Sequence, residues 1–141
     1  MAQNIRYSVP TESKELTSRT ATGVFVAIVA VLLTQALVNS LGVDVGATGE
    51  MSPFSAGPLV SSTIFAGVGA AVAYAGLVRF TARPVRNFVA LSTVVFIVML
   101  VPVAVVTPTM DITLTGQAIL VFYHVLVAVP LVAFITGAIS L

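Results

Sequence analysis

One histidine stands in this chain, His124, inside the run "GQAILVFYHVLVAVPLVAF" at residues 116–134. An imidazole can take up a proton, accept or donate a hydrogen bond, or bind a metal. The run around it is about as long as the ~20 residues that cross a bilayer core. An ionisable side chain in such a setting is a functional hypothesis by default. Counted from the outer end of this run near Gly116, His124 lies about 12 Å deep at 1.5 Å of rise per residue. Gln35, in the first apolar run, falls at nearly the same depth, and Asn39 follows it by one helical turn on the same face. Gln117 shares a face with His124, and Ser62 sits near the outer end of the second run. The spacing therefore predicts an outer-half polar cluster of His124, Gln35, Gln117, Asn39 and Ser62.

Four chemistries compete for that cluster. Neutral His124 can bond to Gln35 or to a backbone carbonyl and fix helix register. The polar groups can line an outward-facing pocket for a small ligand, an ion or a lipid. His124 and Met99, which share a depth, could ligate haem as a His/Met pair. That reading has no second histidine and no attachment motif behind it, so no cofactor is expected. Proton or ion conduction would need carboxylates or a polar relay at the midplane, and no Asp, Glu, Lys or Arg falls there.

Other chemistry finds little support. The absence of cysteine removes thiol catalysis, disulfides and thiolate metal sites. Asp44, Glu50 and Asp111 lack any spacing that would specify a divalent cation. The loop "GVDVGATGEMSPFSAGP" has no phosphate-binding pattern. No Ser/His/Asp arrangement is readable, so the expectation is a protein that is not an enzyme. Nucleic-acid binding is not expected either.

The elements that must position these residues follow from composition. The chain of 141 residues is 58% hydrophobic and 8% charged, against about a quarter charged in a soluble domain. The apolar residues fall into spans at about 21–41, 59–80, 87–107 and 116–141. Backbone polar groups cannot be left open in lipid, so these spans are helices. The fold class expected is an all-α, four-helix membrane bundle, one domain over residues 1–141. Residues 1–19 form a polar leader, in which Pro10 and Thr11 can start a helix that runs into the first span. The leader is long and polar and the first span exceeds a signal-peptide core, so the span is expected to be retained.

Charge orients the bundle. All six Lys and Arg residues fall on one side, three in the leader (including Arg19) and Arg79, Arg83 and Arg86 around the second connection. With Glu12 and Glu15 that side carries +4, and the opposite loops carry −3. The positive-inside rule makes the basic side cytoplasmic, which predicts both termini inside and residence in the cell membrane. Arg19, Arg79, Arg83 and Arg86 are the expected topology anchors. Glu15 and Arg19 form an i,i+4 pair.

Small residues crowd the second span. Ser62, Ala66 and Ala70 are spaced by four, as are Gly69 and Ala73, and Gly67, Ala71 and Ala75. This spacing lets helices approach closely in lipid, so Ala66, Gly67, Gly69 and Ala73 are expected to pack helices, within the bundle or against another subunit. Pro102 and Pro130 lie within the third and fourth spans. A proline there kinks a helix and can open a pocket.

The layout, "SRTATGVFVAIVAVLL" entering the first span and "ILVFYHVLVAVPLVAFI" in the fourth resemble a family of small four-helix prokaryotic membrane proteins of unknown function, actinobacterial or haloarchaeal in type. The resemblance lands on His124 and Pro130 and implies no activity. The acidic outer loops and Val/Ala/Thr-rich helices would suit a salt-loving archaeon. The role expected is a non-enzymatic accessory or structural subunit, packed against a larger membrane complex or against its own copies. The alternative is a membrane protein that binds a small ligand, ion or lipid at His124, for transport or sensing.

Overall fold

The computed structural model describes residues 13–140. Helix α1 runs Ser13–Ser40, α2 Ala56–Phe80, α3 Pro84–Val105 and α4 Leu114–Ile135, with a single 3₁₀ turn at Thr107–Met110 between α3 and α4. All four α-helices are long and apolar enough to cross a membrane. Thr11 and Pro10 lie outside the described residues, while the helix is continuous from Ser13 through the first span.

The helices run up and down. α1 packs most closely on α4 and then on α2, and α3 packs on α4 and α2. Two glycines permit the close approaches. At Gly23 of α1 a side chain would meet the Pro130 carbonyl and Phe134 Cβ, both at 3.3 Å. At Gly67 of α2 it would overlap the side chain of Val24. Small residues thus bring α1 against both neighbours, as expected where van der Waals contact holds helices together in lipid. Large apolar side chains such as Phe25, Leu33, Phe65 and Val72 point outward, where a bilayer would solvate them.

Two buried clusters fill the interior. One, toward the acidic end, gathers Val31, Phe54, Leu59, Val103, Ile112, Leu120 and Tyr123. The other, toward the basic end, gathers Tyr74, Phe88, Leu131 and Ile135. Hydroxyls inside the helices bond back to the preceding turn. Thr63 Oγ1 donates to Leu59 O at 2.7 Å, Thr93 Oγ1 to Val89 O at 2.8 Å and Thr34 Oγ1 to Ala30 O at 2.8 Å. Such bonds satisfy the hydroxyl without a partner helix.

The connection between α1 and α2 folds over the acidic end. Thr113 caps α4 by accepting from Gly116 N at 2.9 Å and donates its own hydroxyl to Asp44 O at 2.7 Å. The Phe54 ring, buried beneath the loop, meets Tyr123 edge-on at 6.4 Å. Gly46 has φ of 88° and so little room beside the Asp111 carbonyl that no side chain fits.

At the basic end, α4 stops at Ile135 instead of running to residue 141. Gly137 takes φ of 77°, Gly137 N bonds Phe134 O at 3.1 Å and Ile139 N bonds Ala133 O at 3.2 Å. This is the left-handed glycine termination of a helix. Arg19 pairs with Glu15 at 2.5 Å, as their spacing predicts, and also reaches the Ile135 carbonyl at 3.4 Å. The guanidinium thus meets the negative end of the α4 dipole.

Candidate functional site

The site grows out of what α2 does with its small residues. Gly67 is buried against α1. Gly69, Ala66 and Ala73 instead line a cleft between α2, α3 and α4, with nothing within 4 Å of the space a Gly69 side chain would enter. A face of Gly and Ala has too little volume to fill the gap toward α3. The result is a cleft of about 700 Å³. Its basic end is closed by Phe88, whose ring meets Tyr74 edge-on at 5.1 Å. Its acidic rim includes Pro53 and Pro58.

The α4 wall carries Leu120, Tyr123, His124, Val127 and Leu131, and the α3 wall carries Ser92, Val95, Phe96 and Met99. His124 and Met99 therefore line one space. Neither Pro102 nor Pro130 does. The small side chains of α2 leave room in the cleft, and the mid-span prolines of α3 and α4 are not among its lining residues. Among the described residues that line it there is no Lys, Arg, Asp or Glu.

His124 sits at the middle of α4, with Leu114 ten residues before it and Ile135 eleven after. The span limits read from sequence place it in the outer half. The Thr113 cap starts α4 earlier and Gly137 ends it sooner, and the two shifts together centre the histidine. Its Nδ1 lies 2.7 Å from the Leu120 carbonyl. A carbonyl only accepts, so Nδ1 carries the hydrogen, and in the neutral ring Nε2 then presents a lone pair. This bond goes to a backbone carbonyl of its own helix and so ties α4 to no neighbour, and Gln35 is engaged elsewhere.

Gln35 is buried on α1 and bonds to Tyr123. The Tyr123 hydroxyl donates to Gln35 Oε1 at 2.6 Å, and Gln35 Nε2 donates to Asn39 Oδ1 at 2.8 Å. Gln35 and Asn39 line a separate hollow of about 320 Å³ beneath the folded loop, with Asp44, Thr48 and Ser52 around it. The polar cluster read from sequence is therefore divided. His124 and Ser62 line the cleft, Gln35 and Asn39 line the hollow, and Tyr123 joins the two by one hydrogen bond. Gln117, half-buried on α4, lines neither.

Tyr123 was not among the residues singled out from sequence. A signal for it exists: a tyrosine within an apolar span carries a hydroxyl that seeks a partner, and its depth matches that of Gln35. Arg79, Arg83 and Arg86 are exposed around the α2–α3 turn, at the same end of the bundle as Arg19.

Over residues 11–140 the chain matches the model of a family of unknown function (DUF6069), and it belongs to that family. No curated protein and no solved structure matches it.

Proposed function

We propose that this member of the family is a non-enzymatic, multi-pass membrane protein whose lateral cleft holds a small, largely apolar molecule drawn from the bilayer. The observation that carries this reading is the cleft itself. Its volume of about 700 Å³ falls in the usual range for small-ligand sites, about 300–1,000 Å³. Its lining is mostly hydrocarbon with a few placed polar groups, the pattern of such sites. A ridge of side chains from a further helix could also enter the cleft.

The orientation proposed has both termini in the cytoplasm, following the basic end of the bundle, and the membrane is the cell membrane of a bacterium or archaeon. Haem finds weak support beside His124 and Met99. Its two carboxylates would meet no basic side chain among the described lining residues.

A second reading, a subunit of a larger complex or of a homo-oligomer, is favoured by one observation. α3 is the least buried of the four spans, and the open small-residue face at Gly69 lies beside it. Gentle extraction from the native membrane followed by native mass measurement separates the two. The binding reading expects the 14.6 kDa chain with a bound small molecule that survives purification. A particle containing other protein chains, with the cleft closed by one of them, sinks it in favour of the subunit.

A further inference from the structure

The hydrogen-bonding state of the cleft wall narrows what the cleft can hold. His124 Nδ1 is committed to the Leu120 carbonyl at 2.7 Å. The imidazole is only partly buried and lines the cleft, and Nε2 has no protein partner among the described residues. A neutral histidine with Nδ1 protonated offers an acceptor at Nε2. Of the other hydroxyls that line the cleft, Thr63 and Ser62 of α2 donate to Leu59 O at 2.7 and 3.2 Å and Tyr123 of α4 donates to Gln35 at 2.6 Å, while Ser92 stands on α3 about one turn from Phe88, toward the basic end. At His124, then, the wall accepts rather than donates. No charged side chain lines the space among the described residues. Beside a neutral His124 an ionised head group buried there would find no counter-charge, and an unpaired charge at that depth is strongly disfavoured.

We infer that the cleft binds an uncharged, largely hydrocarbon molecule bearing a hydroxyl, which donates to His124 Nε2 while its apolar body lies along Ala66, Gly69 and Ala73. The class is that of long-chain or polycyclic alcohols and apolar phenols. Phospholipid and other ionised head groups are excluded from the cleft, although an acyl chain could still enter. This inference rests on the binding reading above. It adds the recognition chemistry and gives the histidine a role in specificity.

The test compares dodecanol with its methyl ether, which has the same chain and no O–H. Each is loaded into lipid nanodiscs holding the full chain, and its occupancy is read by native mass spectrometry. The alcohol is expected to be retained several-fold to about tenfold more than the ether, the worth of one buried hydrogen bond. His124→Leu is expected to bring the alcohol down to the level of the ether. Gly69→Phe, which fills the cleft, is expected to remove both. If alcohol and ether bind equally in the unsubstituted protein, the inference is overturned even should His124→Leu fail to fold. If both still disappear in Gly69→Phe, the binding reading survives that result. If neither molecule binds, or if Gly69→Phe changes nothing, the binding reading itself is overturned.

Discussion

Tyr123 and Gln35 stand 88 residues apart in the chain and share one buried hydrogen bond of 2.6 Å. Both side chains are buried in the bundle. Removing the phenol leaves the Gln35 carbonyl oxygen without its donor, a loss of about 1–3 kcal/mol in a buried site and nearer 1 kcal/mol by the usual measure between membrane helices. Tyr123→Phe is therefore expected to lower thermal stability by that amount, and Gln35→Leu by a similar one. The double substitution should cost clearly less than the sum, because its two sites share one interaction. Additive losses in a denaturation series would show that the bond contributes nothing. His124→Leu breaks only a bond to its own helix backbone, so its stability should change little, and its effect should fall on binding.

Residue identities made part of this visible in advance. Depth along a span can be counted, and it put Gln35 near the level of the histidine. Which face of α4 turns toward α1 could not be counted, since all four spans are apolar on most sides. Adjacent positions on a helix differ by about 100°, so although Tyr123 and His124 both line the cleft, their polar atoms turn to different partners. The Tyr123 hydroxyl meets Gln35 of α1 and the His124 Nδ1 meets the Leu120 carbonyl of its own helix.

Among the elements, α2 offers the sharpest contrast. Gly67 and Gly69 lie in the same stretch of small residues and read alike in sequence. Gly67 faces Val24 with no room for a side chain, whereas Gly69 faces open space. Gly67→Leu should force α1 and α2 apart and cost about 1–3 kcal/mol, as overpacking of a tight contact does. Gly69→Leu should fold with near-normal stability. Thermal melting of the two variants side by side checks this, and equal losses would contradict the packing described.

The end of α4 supplies a second expectation at this scale. Gly137 has φ of 77°, and a side chain there would also crowd Arg19 Nη1 at 3.0 Å. Gly137→Ala should destabilise by about 1 kcal/mol. Arg19→Met should cost a comparable ~1 kcal/mol by removing a cation from the helix C-terminus and breaking its pair with Glu15. A melting curve unmoved by Arg19→Met would reduce that residue to a marker of topology. The boundary itself was missed in sequence because the apolar run continues past Ile135, and only the backbone turn at Gly137 stops the helix.

For the whole molecule the decisive quantity is sidedness. The chain contains no cysteine, so single cysteines report without interference. Thr48→Cys, exposed in the loop at the acidic end, should react with a membrane-impermeant maleimide applied to intact cells. Ala82→Cys, exposed in the basic turn between α2 and α3, should react only after permeabilisation. The reverse pattern would invert the proposed topology.

Composition and run length alone determined that this is a four-helix membrane protein. Lipid leaves each span no structure but a helix, and hydrophobic length is a property that a sequence carries directly. Charge placement likewise separates a basic end from an acidic one before any packing is known. What only the tertiary structure decided is which small residues are used and which are left open. Helix faces are set by contacts between distant segments, and no periodic polar stripe marks them here. Gly67 became a contact and Gly69 the wall of a cleft. Gln35 turned to Tyr123, and His124 was left with one nitrogen facing an apolar space, because α1 packs against α4 and α2 while α3 stands partly away from α2.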